Sequence, residues 1–359
     1  MTEKIERAHI AVLGCGPAGA TFARELSQRR PTADILVLSD ESKPKLCGGL
    51  LAPDAQKVLA RFGLTLPRDV LADPQIFAVE TTDLVTGLTR LYPRHYLNMH
   101  RDAFDQWLAS LIPPQVRRLD ARCLSVTQQE NGFLLRTTAG DVQADFLVGA
   151  DGARSLVRRA FFPTVAYQYV SVQQWFAAEG KKLPPYACIF DADTSDSCSW
   201  AILKEDRVLF GGAFLPRACR ERFEKQKKRF EEKTGVTLGE PIQTDACLLT
   251  SPRRWRDFLL GCDRAFLTGE AAGLISASSF EGISSAMRSG RDLAEAFARY
   301  ADDEKRILHC YRALTRSLRV KLYFKTKKRA VICSPMLRTL ILKSGWQSVR
   351  RYDTQPPDR

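Results

Sequence analysis

The chain has 359 residues, 45% of them hydrophobic and 26% charged, which is enough for one large or two ordinary domains with proper cores and excludes a disordered or collagen-like chain. No apolar run approaches the ~18 residues of a membrane-spanning helix. The formal net charge of +13 is confined to one end: from Lys305 onward fifteen Lys and Arg face two Asp, while residues 1–304 hold thirty-nine of each sign, so the body is not a general polyanion binder.

The first element is an apolar run, Ile10 to Leu13, short enough for a buried parallel strand and followed at once by Gly14-Cys15-Gly16-Pro17-Ala18-Gly19. Ala20, Phe22, Ala23 and Leu26 then follow at helical spacing. Gly14 suits a tight turn, Gly16 the approach of backbone to a pyrophosphate, and Gly19 close packing of helix on strand. A phosphate placed there meets the free N–H groups and positive dipole end of the helix. The segment reads as a dinucleotide site, against the alternative of a glycine-rich turn with no ligand. A second strand, Ile35 to Leu38, ends in Ser39-Asp40. Ser39 stands where the ribose-binding acid is expected, so Asp40, one place later, takes that role.

A loop with Lys43, Pro44, Cys47, Gly48 and Gly49 leads into a predicted helix from Pro53 to Phe62. Two adjacent glycines after a cysteine suit close approach to something flat, or an ordinary turn with an incidental thiol. Residues 75–97 alternate as strands. A helix then begins near Asn98, with Phe104, Trp107, Leu108 and Leu111 inward and Arg101 at its start, where a cation opposes the dipole and is better explained by an anion to hold. Strands over 133–138 and 142–149 end in Gly149-Ala150-Asp151-Gly152, before a helix from Leu156 to Phe161. That places a carboxylate at the ligand end of a sheet, or simply caps the helix through Asp151 or Ser155.

From residue 164 to 260 the pattern becomes mostly antiparallel. Val165 to Ala177 and Tyr186 to Asp191 read as strands, Ser199–Leu203 and Val208–Phe214 as a hairpin, and Ala218 to Thr234 as a covering helix stopped by Gly235. The chain then returns to strand-then-glycine architecture at Ala265–Gly273, with a long helix from Ile283 to about Arg299 after Gly282. Three ligand-end segments, near residues 10, 148 and 267, bracket an inserted substrate platform.

Ten cysteines without a CxxC and four scattered histidines argue against a metal site. The N-terminal MTEKIERA carries no apolar signal core, giving the expectation of a cytoplasmic protein whose cysteines are free thiols, mostly buried as small hydrophobes.

The three segments resemble the FAD-dependent fold shared by aromatic hydroxylases, tryptophan halogenases and geranylgeranyl reductases. Lys43-Pro44-Lys45-Leu46-Cys47-Gly48-Gly49 is similar to the PCGG loop of the geranylgeranyl reductases, and Ser199-Trp200-Ala201-Ile202 with Phe210-Gly211-Gly212 to their substrate-domain hairpin. CGGLLAPDAQ, VGADGARSLVRR and TGEAAGLISASSFEGIS are very like the CbrA-type members of that family. The resemblance covers roughly residues 8–345. It implies an α/β fold: a discontinuous Rossmann-type FAD-binding domain (1–75, 97–162, 260–304), an inserted antiparallel substrate domain (76–96, 163–259) and a basic helical C-terminal segment (305–359).

By the same resemblance FAD lies along the first domain. Gly14, Gly16, Pro17, Ala18 and Gly19 hold the pyrophosphate with help from Arg101, and Asp40 holds the adenosine ribose. Asp151 stands at the second strand end, Gly269, Glu270 and Gly273 lie along the ribityl chain, and Gly282 and Ile283 point N–H groups at the flavin O2 edge. A helix N-terminus there stabilises the reduced, anionic ring. Cys47, Gly48 and Gly49 lie against the isoalloxazine. Glu270 stands in place of the family's Asp, and Ala201-Ile202-Leu203 lacks the usual proline after the aromatic.

The implied activity is an FAD-dependent oxidoreductase that reduces a carbon–carbon double bond of a prenyl or other apolar substrate by hydride from flavin N5. Cys47 is the candidate proton donor, with packing on the flavin as its alternative. Tyr167, Trp175, Trp200 and Phe210 wall the substrate cavity or serve as core aromatics. The rival enzyme is a monooxygenase acting through a flavin peroxide; a halogenase lacks its WxWxI signature. The electron donor is NADPH or a reduced protein. A reading of another class makes the tail the working part of a membrane- or nucleic-acid-binding protein with a residual flavin fold. From Ser317 to Trp346 apolar residues interleave with cations and no acid occurs before Asp353, which suits an anionic membrane surface and peripheral association better than a specific nucleic acid.

Overall fold

A computed structural model of the chain describes residues 5–40, 45–162 and 167–352; the predicted loop positions Lys43 and Pro44 and the strand start Val165 lie outside these. The apolar run at Ile10 belongs to a longer strand, Glu6–Leu13, whose last four residues are buried. It pairs in parallel with Ile35–Ser39 on one side and Gly140–Gly149 on the other. Arg117–Asp120 and Ala265–Leu267 extend the parallel sheet outward. A hairpin, Cys123–Gln129 and Gly132–Thr137, adds to the Gly140–Gly149 strand.

The buried runs on both sides of the central strands reflect a sheet covered on both faces. On one face the helix Pro17–Arg29 meets the long helix Ile283–Tyr300, where a Cβ on Gly290 would strike the Ala18 carbonyl. Phe22, Phe146, Phe266 and Phe297 interlock there with ring centroids 5.2–6.5 Å apart. Each such ring contributes about 1.5–3 kcal/mol by leaving water.

The chain divides into two units: Met1–Leu71, Met99–Tyr169 and Leu248–Lys328 form one, and Ala72–Asn98, Val170–Cys247 and Arg329–Arg359 the other. In the second, neighbouring strands run in the order Gln243–Thr250, Gln168–Ala177, Arg207–Phe214, Cys198–Lys204, Tyr186–Phe190, Ile76–Asp83 and Thr89–Asn98. The pairings are antiparallel except that of Tyr186–Phe190 with Ile76–Asp83. The helix Cys219–Thr234 covers one face, burying Phe176, Phe210, Phe214, Phe223 and Phe230 in a common core.

The basic C-terminal segment forms the helices Glu304–Leu314, Arg316–Cys333 and Pro335–Ser344, which divide between the two units. Some of its cations are buried in ion pairs. Arg338 is 5% exposed and bonds Asp83 at 2.6 Å, and Arg329 bonds Asp196 at 2.7 Å. The helix Arg316–Cys333 does not separate its faces cleanly, since Leu318 and Leu322 are buried while Val320, Phe324 and Val331 are exposed. The cysteines are free thiols, but only Cys198 and Cys310 are fully buried; the other eight are half-buried.

Candidate active site

The register of the parallel sheet brings the three glycine-bearing segments together. Leu13 stands opposite Leu38 and Gly149, and Gly149 opposite Leu267, so the strands carrying them end level. Gly14 N–H donates to the Leu38 carbonyl, Ala150 N–H to Leu13 and Thr268 N–H to Gly149, closing the sheet just where the loops begin. Residues 13, 149 and 267 are far apart in sequence, and the strand order alone makes them neighbours.

Gly14 adopts φ +97°, and a Cβ there would stand 2.6 Å from the Ala150 carbonyl oxygen. A Cβ on Gly19 would collide with the Gly14 carbonyl itself. Gly16 differs: the nearest atom to its added Cβ is Asp105 Oδ2 at 3.9 Å, so its outer side is open. The helix that follows has Gly16 at its N-cap, no side-chain cap, Pro17 in its first turn and no acid there. Its first amides, at Ala18 and Gly19, therefore lack helical acceptors, which is the donor set a pyrophosphate uses.

Arg101 begins the helix Arg101–Ser110 and binds Asp105 through both nitrogens, at 2.8 and 3.0 Å. Burial opposes its charge, but Asp105 and the Cys47 sulfur, which lies within its hydrogen-bonding reach, together raise its pKa. Cys47 Sγ also accepts from the Gly49 N–H at 3.4 Å, a turn that needs the positive φ of Gly49, +65°. Arg101 thus joins the Cys47-Gly48-Gly49 loop to the open side of Gly16. Asp105, one turn beyond Arg101 at the i,i+4 spacing that pairs opposite charges, was legible in sequence and not anticipated.

Asp40 follows directly on the Ile35–Ser39 strand and is half-buried. Ser155 caps the helix Leu156–Phe161 by accepting the Arg158 N–H at 3.0 Å, and Asp151 adds to it by accepting the Leu156 N–H at 2.6 Å through Oδ2. Its Oδ1 is buried and has no hydrogen-bond partner among the described residues. Burial pushes its carboxyl pKa up. Glu270 is more engaged than expected: Lys45 Nζ bonds Oε2 at 2.8 Å and the Thr250 N–H bonds Oε1 at 2.9 Å. This pair lies over Gly152, where a Cβ would stand 3.5 Å from Lys45 Nζ and 3.9 Å from Glu270 Oε2. Gly269 and Gly273 flank Glu270 with φ of +60° and +77°.

The helix Ile283–Tyr300 begins at Gly282 with no side-chain cap, leaving the amides of its first turn, Ile283 included, open to an acceptor. The loop before it is held in place by Phe280 at φ +54°, unusual for a side chain of that size, whose ring meets Tyr169 edge-on at 5.5 Å. Tyr169 in turn accepts a 2.7 Å bond from Arg253, whose guanidinium lies 4.1 Å from the centre of the Tyr167 ring. Tyr167 is 42% exposed and is clamped by Arg253, a residue the sequence reading missed.

In the second unit the strand alternation separates the remaining aromatics. Trp200 faces Gly211, and Gly211 faces Gln173, while Ala201 faces Phe210. Phe210 therefore points to the opposite side from Trp200 and Trp175. It packs on Phe223 and Phe230 with centroids at 5.7 and 5.2 Å and is fully buried. Its assignment to the substrate cavity is corrected: it is a core residue beneath the helix Cys219–Thr234. Trp200 and Trp175 share the face that this helix leaves uncovered, and Trp200 Nε1 is buried without a partner among the described residues. Also among the described residues, no three His, Cys, Asp or Glu gather to hold a metal, and no helix is long and apolar enough to cross a membrane.

No family model matches the chain. Among solved structures, a geranylgeranyl bacteriochlorophyll reductase-like protein from Thermoplasma acidophilum superposes with a TM-score of 0.79 at 18% identity, covering 94% of this chain and 91% of that one. PqsL from Pseudomonas aeruginosa, a probable FAD-dependent monooxygenase, superposes with a TM-score of 0.69 at 16% identity over 95% and 100%. These two likenesses establish the fold. Protein CbrA of Escherichia coli O6:H1 (strain CFT073) is 40% identical over 364 aligned positions, covering 98% of this chain and 97% of that protein. With that identity along nearly the whole of both chains, this chain belongs to the CbrA family.

Proposed function

We propose that the chain is an FAD-dependent oxidoreductase that saturates a carbon–carbon double bond in a prenyl or other apolar substrate. The observation that carries the cofactor assignment is the level ending of three parallel strands, which sets the open side of Gly16, the unpartnered Asp151 Oδ1 and the uncapped helix start at Gly282 along one edge of one sheet. Each of these groups wants a different part of an elongated dinucleotide: a pyrophosphate, a hydroxyl donor and a carbonyl acceptor. FAD bound there supplies two-electron reducing power to a substrate that lies against its ring.

The protein's own part is orientation and proton supply. Cys47 sits in the loop that Arg101 and the Gly49 amide hold in place, and its thiol is the proton donor of this reading. Arg101 keeps Asp105 neutralised beside the pyrophosphate turn. Glu270, held by Lys45 and the Thr250 N–H, is the carboxylate that would receive ribityl hydroxyls. Trp175 and Trp200 offer an apolar wall with one indole N–H available for a polar substrate atom. The electron donor in this reading is NADPH or a reduced protein.

An anionic membrane surface is the proposed meeting place with such a substrate. Met336 (70% exposed), Leu340 (57%) and Trp346 (70%) stand out from the last helix and the turn after it, among Lys343, Arg350 and Arg351.

The test is spectroscopic. Purified protein is reduced with dithionite without air, and reoxidation is followed with prenyl diphosphates, polyprenyl lipids or oxygen. Anaerobic reoxidation by a lipid alkene, slowed at least tenfold in Cys47→Ala, is the expected result. Failure to bind added FAD overturns the cofactor reading, and reoxidation by oxygen alone through a peroxide-like intermediate makes the chain a monooxygenase.

A further inference from the structure

The first unit contains a second polar cleft, of about 220 Å3, walled by the helices Pro53–Arg61, Ile283–Tyr300 and Arg316–Cys333. Lys57 and Arg61 lie one turn apart on the first helix, Lys321 and Lys325 one turn apart on the third, and Arg288 comes from the second. Asp54 is the acid lining the cleft, and it is already spoken for: its Oδ2 lies 2.7 Å from Lys321 and 3.6 Å from Lys325. Lys325 also approaches Glu281, at 3.7 Å. Lys57, Arg61 and Arg288 have no carboxylate within ion-pair distance among the described residues. Burial would raise the Asp54 carboxyl, yet the bond and charge of Lys321 and then Lys325 hold it below its ordinary value, as expected where positive potential dominates.

Two further features make the cleft more than a basic surface. Ser284 and Ser285 line it from the first turn of the 18-residue helix, adding two hydroxyl groups to the donor set. Val58, Leu318 and Leu322 beneath them are buried, so the charges stand on a low-dielectric floor where their attraction for an anion is stronger than in water. The volume falls below the roughly 300–1,000 Å3 of drug-sized sites. It is too small for a whole dinucleotide or a prenyl chain. Five cations against two partly engaged acids exceed what one carboxylate needs, and the two arginine forks match phosphoryl oxygens.

We propose that this cleft binds a phosphate-bearing group of about the size and charge of a diphosphate. The group is either free or the headgroup of a larger molecule whose remainder lies outside the cleft. The site stands independently of the reductase reading.

The full-length protein, with FAD in excess so that the glycine loop is filled, is titrated calorimetrically with inorganic pyrophosphate. Lys57→Glu/Arg61→Glu alters two exposed side chains of the cleft, and Lys228→Glu/Lys233→Glu makes the same change of net charge on the exposed side of the Cys219–Thr234 helix. Saturable binding to the wild type and to the second variant, weakened at least tenfold in the first, is expected. Geranylgeranyl diphosphate against geranylgeraniol, NADPH against NADH, and phosphatidylglycerol against phosphatidylcholine vesicles then compete with pyrophosphate. The member that displaces it names the natural carrier, and displacement by none leaves a free diphosphate as the ligand. Absence of saturable binding in the wild type, or equal weakening in both double variants, overturns the proposal.

Discussion

In the first unit Gly14 and Gly19 are hemmed in by backbone, the Ala150 and Gly14 carbonyls, whereas in the second unit Gly211 is hemmed in by a side chain, with Trp200 Nε1 2.6 Å from where its Cβ would stand. Backbone held in a parallel sheet cannot retreat; an indole can. Gly16 belongs to neither case, because the space beside it is open. These four glycines therefore serve three ends: holding a turn to its sheet, seating a ring, and leaving room for a ligand.

Substitutions separate these roles. Gly19→Val drives a side chain into the Gly14 carbonyl, and we expect a loss of about 4 kcal/mol or more, read as loss of soluble protein or collapse of the melting temperature. Gly211→Ala overpacks against Trp200 and should cost about 1–3 kcal/mol in denaturant titrations. Trp200→Leu in the same background should restore most of that loss, because the crowding atom is gone; a purely additive double variant would show that the indole is not what the glycine accommodates.

Asp151→Asn tests the strained end of the dinucleotide edge. Burial raises the Asp151 pKa in the folded protein, so the folded state binds the proton more tightly than the unfolded one. Its contribution is then most favourable below the unfolded value of about 3.9 and is lost as pH rises through the folded value. Asn keeps an acceptor for the Leu156 N–H without the charge. The apo variant should melt higher than wild type at pH 7, with the gain vanishing below about pH 4, while its retention of FAD falls. A lower melting temperature at neutral pH would mean that the carboxylate is better compensated than its unpartnered oxygen indicates. The smallest effect on the fold is expected for Gly16→Val, within about 1 kcal/mol of wild type, with the flavin absorbance lost on gel filtration. Retained flavin would remove Gly16 from the pyrophosphate site.

Much of the architecture was legible because it is local. The helix Leu156–Phe161 lies where its sequence pattern put it, and Pro53–Arg61 ends within a residue of its predicted end. The strands Arg117–Asp120 and Gln243–Thr250 were not anticipated, since the first is short and charged and the second is mostly half-exposed, so neither carries a clean apolar period. Phe210 shows the limit most plainly. Trp200 and Phe210 are both aromatic residues of one hairpin, but which face each occupies depends on the cross-strand register, and that register placed one under a helix and the other away from it.

The sequence by itself determined the glycine turn, the order of strands and helices that makes an α/β chain with an inserted antiparallel sheet, and the confinement of positive charge to the last 55 residues. These follow from backbone sterics, short-range periodicity and composition, which act within a few residues. The tertiary structure alone decided that residues 13, 149 and 267 end side by side. It also paired Lys45 with Glu270 across 225 positions, and it left Asp151 with a buried oxygen to satisfy. Such contacts depend on strand order and burial, and no spacing along the chain encodes them.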